Sequence, residues 1–152
     1  MVVSPRSTPT PTEDTVDLDD ARQVLREQHR AVLATRRTDG APQLSPVVVG
    51  IDDDGAATIS TRETALKTKN LRREGRAWLC VLPDAFFGRW VQVEGDVEIV
   101  ELPAALDGLR ALYRQVQGGE HPDWADFDEA MHRERRVLLR VHLDRAGPDK
   151  SG

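Results

Sequence analysis

At 152 residues, 39% hydrophobic and 31% charged, the chain is long enough for one domain with a modest core and too short to hold two without crowding. Its apolar residues fall in periodic runs, which excludes wholesale disorder, and no run approaches the roughly 20 residues of a membrane-crossing helix. A formal net charge of −5 argues against a chain that wraps nucleic acid through its overall field.

Residues 1–16 are rich in Pro and Thr without apolar periodicity and read as a loose tail, with no apolar block of the kind that forms a signal peptide. The lone Cys80 cannot close an internal disulfide and sits in the apolar run from Trp78 to Leu82, which suits an inert, buried thiol in a reducing cytoplasm. The folded domain is expected over residues 17–143. Asp17 is placed to cap a helix with Leu18, Ala21, Val24 and Leu25 on one face, ending near Arg30. Ala31 to Arg36 reads as a buried strand. Asp39-Gly40 then turns the chain into a second strand, Gln43 to Ile51, in which Pro46 cannot donate a ladder hydrogen bond and so marks an edge or an opening in the sheet. Asp52-Asp53-Asp54-Gly55 reads as a polar turn, because the spacing and distal Glu of a calcium loop are missing.

Ala57 to Thr61 forms a third strand, and Thr64 is positioned to cap a helix through Arg73. Arg76 to Leu82 is a further apolar strand. Val91 to Val100 alternates strictly, with Gly95 inside it marking a bulge or sharp bend. Pro103 opens a helix bearing Leu106, Leu109, Leu112, Tyr113 and Val116 that Gly118-Gly119 ends, and Asp123 caps another bearing Trp124, Phe127 and Met131. Those aromatics read as core. Val137, Leu139, Val141 and Leu143 make a last strand, followed by a polar tail over residues 144–152. Early hairpins without regular βα alternation point to a mostly β fold with α: a small antiparallel barrel with flanking helices.

The histidines (His29, His121, His132, His142) lack metal-ligand spacing, and nucleophile elbow, Walker and dinucleotide motifs are missing. Paired carboxylates such as Glu98 and Glu101 read as solvated. Charge is uneven, however: between Arg62 and Arg76 six basic residues face only Glu63 and Glu74, a +4 island in an acidic chain. Within it, a strand ending at Ser60-Thr61 and a helix starting near Thr64 bring free backbone N–H groups, hydroxyls and Lys67 toward one spot, the makings of a phosphate cradle. Lys67 shares a helix face with Asn70 and Leu71, while Lys69 points elsewhere.

Five segments in order, LATRRTDGAPQLSPV, ISTRETALKTKNLRREGRA, VEGDVEI, LYRQVQGGEHPDWADFDEAM and RRVLL, resemble the flavin/deazaflavin split-barrel oxidoreductases related to pyridoxamine 5′-phosphate oxidase, and among them the actinobacterial branch that uses the deazaflavin F420. The resemblance covers roughly residues 20–143. It implies a split β-barrel that forms a homodimer with cofactor sites at the subunit interface, and hydride transfer between reduced F420 and an unsaturated or electrophilic small molecule. Positions matching the family's cofactor contacts are Gln43, Pro46, Ser60, Lys67, Lys69 and Asn70, with Trp90 reaching the cofactor from the second subunit. Lys69, Arg72 and Arg73 are then available to F420's acidic tail. Ala65 stands where many relatives have a phosphate-binding Arg, and Gly75 replaces a common Pro. The chain's end lacks the basic motif expected for pyridoxamine phosphate oxidation itself. The alternatives are an FMN-binding oxidoreductase and a non-enzymatic flavin, haem or tetrapyrrole binder. No catalytic side chain is assigned, because the cofactor would perform the hydride step.

Overall fold

In the computed structural model, residues 15–150 are described. They form α1 (Leu18–Glu27), β1 (Arg30–Arg36), β2 (Pro42–Val48), β3 (Gly50–Ile51), β4 (Ala57–Arg62), α2 (Leu66–Arg73), β5 (Arg76–Leu82), β6 (Val91–Val100), α3 (Leu106–Gln117), α4 (Trp124–Arg133) and β7 (Arg136–Asp149). All seven strands join one sheet in the order β2-β1-β5-β6-β7-β4-β3, antiparallel at every pairing. The sheet curls without closing, so β2 and β3 are both edges, and the expected split barrel with flanking helices is the observed architecture.

Strand alternation sorts the side chains. Ala31 and Leu33 of β1, Ala77, Leu79 and Val81 of β5, Val91 and Val93 of β6, Leu139 and Val141 of β7 and Ile59 of β4 point into the principal core, where Ala21, Val24 and Leu25 of α1 join them. A second cluster lies on the other face of β4 and β7, where Leu109 and Leu112 of α3 and Phe127 of α4 pack on Leu138. The sequence reading of Phe127 and its neighbours as core holds. Asp17 caps α1 by accepting from the N–H groups of Asp19 and Asp20, and Gly118 ends α3 in the left-handed conformation at φ 75°. At Gly95 the β6/β7 register shifts, and an added Cβ would overlap the His142 carbonyl oxygen, so the bend requires glycine.

Several boundaries differ from expectation. The C-terminal segment is no tail from residue 144: β7 runs to Asp149, pairing Arg145, Ala146 and Asp149 with Glu94, Val93 and Val91. Asp144, Gly147 and Pro148 hide this strand from a pattern search, since it is held by its neighbour and not by its own alternation. At the other end, the expected N-terminal tail lies outside the described residues up to 14, while Val16 donates its N–H to the Ala146 carbonyl and packs on the core. The second strand breaks at Val49, and α1 ends at Glu27. α3 starts three residues after Pro103, behind a turn. No helix among the described residues is long and apolar enough to cross a membrane.

Candidate functional site

α2 lies against the β1–β2 hairpin, and its sequence order decides what faces that hairpin. Lys67, Asn70 and Leu71 occupy the inward side, as the spacing predicts, and Lys69 is exposed. Lys67 Nζ is 3.2 Å from Ser45 Oγ on β2, its hydrogen-bond partner among the described residues, and no carboxylate pairs with it. Asn70 is buried: its Nδ2 donates to Thr35 Oγ1 at 3.1 Å, and its Oδ1 accepts from Arg73 Nη2 at 3.3 Å. Thr35 in turn donates to Gln43 Oε1 at 3.4 Å. Gln43 and Ser45 therefore share one face of β2 with the α2 contacts, while Pro46 between Ser45 and Val47 faces the outside of the sheet opposite Val32.

The helix start differs from expectation. Thr64 does not cap it; Ala65 is the N-cap residue and provides no side-chain hydrogen bond, while Thr68 Oγ1 donates back to the Arg62 carbonyl. The N–H groups of the first turn thus remain without a side-chain acceptor, beside the Lys67 ammonium. This donor set fits an anionic group, since both the helix dipole and Lys67 contribute positive potential with no resident carboxylate to cancel it.

The arginines of the basic island behave otherwise. Arg62 pairs with Glu134 at 3.5 Å, Arg72 with Glu101 at 2.9 Å, and Arg76 with Glu94, Asp96 and Asp144 at 2.7–3.1 Å. Arg73 donates to the Arg36 carbonyl at 2.6 Å. Glu98 and Glu101 are exposed, as read from the sequence, and each also joins a surface ion pair; the hydrogen bond from His142, aided by Arg140, holds the Glu98 carboxyl below its usual range. The Asp52–Gly55 segment is the expected polar turn: Asp52 accepts from the N–H groups of Asp54 and Ala56 and from Arg140.

Ser60 is half-buried on the β4 face that α3 covers, at the edge of a hollow of about 200 Å³. Trp90 precedes β6 and lines a different hollow of about 560 Å³ with Cys80, Leu82, Phe86 and Phe87. Cys80 is half-buried there and not fully enclosed, and desolvation pushes its thiol pKa up, away from the reactive thiolate. β1 and β5 separate β2 from β6, so Pro46 on β2 and Trp90 at the start of β6 lie three strand steps apart in the sheet of one chain. The structure thus brings Gln43, Lys67 and Asn70 together around Thr35 and Ser45, and leaves Pro46 on the opposite face of β2, Ser60 on the β4 face that α3 covers, and Trp90 apart from them. Thr35 and Ser45 were missed by motif reasoning; their signal was a polar residue at an inward position of an otherwise apolar strand.

The family model for pyridoxamine 5′-phosphate oxidase matches residues 18–147, nearly all of the described domain. The chain belongs to the pyridoxamine 5′-phosphate oxidase family. It is 28% identical over 127 residues to an F420H(2)-dependent biliverdin reductase of Mycobacterium tuberculosis, covering 84% of each chain. Among solved structures it is similar to the conserved hypothetical protein Rv2991 of Mycobacterium tuberculosis, with TM-score 0.74, 25% identity and coverage of 91% of this chain and 88% of that one. A structure described as an F420 reductase superposes with TM-score 0.61 at 24% identity, covering 83% and 94% of the two chains, a likeness of fold. These relatives agree with the split-barrel resemblance drawn from the sequence.

Proposed function

We propose that the protein is a cytoplasmic oxidoreductase that uses reduced F420 to reduce an unsaturated or electrophilic small molecule, and that it works as a homodimer. The observation that carries this reading is Lys67: a cation held by a neutral hydroxyl at an uncapped helix start, on the element that begins four residues after β4 ends. The M. tuberculosis relative supports the choice of deazaflavin over FMN. When bound, the reduced deazaflavin would supply a hydride.

The chain's own residues do the rest. Lys67 and the first turn of α2 hold the cofactor's phosphate, with Ser45 fixing the direction of the ammonium. Asn70 ties α2 to β1 through Thr35, which keeps Lys67 in register with β2. In this reading Gln43 and Pro46 of β2 and Ser60 of β4 complete the cofactor's contacts, and exposed Lys69 is available to its acidic tail. The outer face of β2-β1-β5 supports a second copy. Rows such as Val48–Arg30–Leu82 and Pro46–Val32–Cys80 run across it, and Leu44, Val48, Leu82, Phe86 and Phe87 leave 37–87% of their surface in water. A partner covering that face would bring its Trp90 toward this chain's β2.

Titration with oxidised F420 and, separately, FMN, followed by cofactor fluorescence, tests the reading. F420 is expected to bind more tightly than FMN, and Lys67→Ala is expected to weaken F420 binding about 10- to 100-fold, the worth of a hydrogen bond to a charged group. Preference for FMN would move the protein to the FMN-dependent oxidoreductases, and binding of neither would leave the fold standing and this function rejected.

A further inference from the structure

α4 and β7 are joined through Arg135, the one non-glycine residue of positive φ among the described residues, at 55°. A side chain with a Cβ is disfavoured in that conformation, and glycine is its usual occupant at a helix end, as Gly118 is behind α3. Such a backbone state persists only where its surroundings hold it. Here one neighbour holds it twice. The Arg135 carbonyl accepts the Glu63 N–H at 2.9 Å, and Arg135 Nη2 donates to the Glu63 carboxylate. Glycine could make the first bond but not the second, so the reach to Glu63 is what an arginine adds at this position.

Glu63 lies in the turn over residues 63–65 that leads from β4 into α2. Just before it, Arg62 stands opposite Arg136 in the β4/β7 register, and both guanidinium groups donate to Glu134 Oε1, at 3.5 and 3.0 Å. The Arg62 carbonyl in turn accepts the Ala65 N–H at 3.1 Å and the hydroxyl of fully buried Thr68 at 2.7 Å. These bonds carry weight because α2 has no side-chain cap of its own at Ala65. The place and direction of its first turn are set by the turn before it, and that turn is fastened to the α4–β7 junction at successive residues, Arg62 to Glu134 and Glu63 to Arg135.

We infer that Arg135 is a positioning residue for the anion cradle: through Glu63 it fixes the turn from which α2 starts, and with it the place of Lys67 and of the first-turn N–H groups. The inference rests on the proposed function, since it takes the start of α2 as the phosphate site. A residue needed only to end α4 would be replaced by glycine without loss, so the two roles part in a single variant.

The test compares F420 dissociation constants, melting temperatures and amide hydrogen exchange in the full-length wild type, Arg135→Gly and Arg135→Lys. Arg135→Gly removes the disfavoured conformation and the ion pair together. Its melting temperature is expected to be no lower than that of the wild type, while its F420 binding weakens about two- to fivefold, the worth of an exposed ion pair. Arg135→Lys keeps a cation for Glu63 and is expected to bind F420 within about twofold of wild type. In the cofactor-free protein, exchange at the Glu63, Ala65 and Lys69 amides, which bond to Arg135, Arg62 and Ala65, is expected to be about two- to fivefold faster in Arg135→Gly. Wild-type F420 affinity in Arg135→Gly, a loss that Arg135→Lys does not recover, or a loss of affinity matched by a fall in melting temperature would each overturn the positioning role. Failure of the wild type to bind F420 would instead reject the proposed function, and the exchange comparison then decides alone: faster exchange confined to those amides upholds Arg135 as the residue that fixes the start of α2, and unchanged exchange overturns it.

Discussion

Lys67 and Arg76 belong to one basic segment nine residues apart, yet their surroundings are opposites. Arg76, with only 21% of its side chain exposed, makes a two-pronged contact with Asp144 and reaches Glu94 and Asp96, and these carboxylates, Asp144 foremost, hold its guanidinium pKa above the ordinary value. Arg140 repeats the arrangement on β7, two strands away, with Asp52, Asp54 and Glu98. Lys67 has one neutral oxygen. The first kind of cation is already neutralised and belongs to the scaffold, while the second keeps its potential for a ligand. A count of charges along the chain registers both alike.

Removing each cation separates the two roles most sharply. Arg76→Ala leaves Glu94, only 13% exposed, without its nearest cation, and is expected to lower stability by about 2–3 kcal/mol in denaturant unfolding, below the ~3–5 kcal/mol of a broken buried pair because Arg145 remains 3.9 Å from Glu94. Lys67→Ala loses only the bond to Ser45 and is expected to stay within about 1 kcal/mol of wild type. An equal loss from both would mean that Lys67 is also a structural cation and would weaken the case for a cofactor cradle.

Acid titration probes the same scaffold network. The Glu98 carboxyl is lowered from its ordinary value of 4.5 by the hydrogen bond from His142 and by Arg140, and Glu134 is lowered from 4.5 by Arg136 and Arg62. For a carboxylate depressed in the folded state, the stabilisation is complete above the unfolded value and disappears as pH falls through the folded one. The melting temperature is therefore expected to start falling from these groups below about pH 4.5, and Glu98→Gln should flatten part of that fall. A fall of the same size in the variant would remove Glu98 from the network's acid sensitivity.

How far the fold was legible follows from where the information resides. The strict alternation of Val91 to Ile99, the caps at Asp17 and Asp123 and the glycine at residue 118 are local signals, and each appears in the structure as read. The end of β7 was invisible because Arg145 to Asp149 becomes a strand only through its pairing with Val91 to Glu94. The same limit applied to the site. The helix face that joins Lys67 to Asn70 follows from 3.6-residue geometry, whereas Ser45 and Thr35 become partners only once the β1–β2 hairpin places Leu33 opposite Ser45 and Thr35 opposite Gln43. Which of the basic residues would be neutralised depended on acidic residues as distant as Glu101, Glu134 and Asp144, and no local pattern encodes those pairings.

The smallest expected effect bears on the cofactor's acidic tail, where Lys69 and Arg72 are close in sequence and were both candidates. Arg72 is paired at 2.9 Å with Glu101, with 43% and 61% of the two side chains exposed, a surface pair worth about 0.2–1 kcal/mol. Binding an acidic tail there would first require that pair to open, so much of the attraction gained is offset by the attraction given up. Lys69 has no carboxylate partner among the described residues and meets no such cost. Arg72→Ala is accordingly expected to change F420 affinity by less than about twofold, and Lys69→Ala by about two- to fivefold at low ionic strength, with the gap closing as added salt screens exposed charge. Equal losses from the two variants would show that the Arg72–Glu101 pair opens toward the tail, and the line between neutralised and available cations would then have to be redrawn around α2.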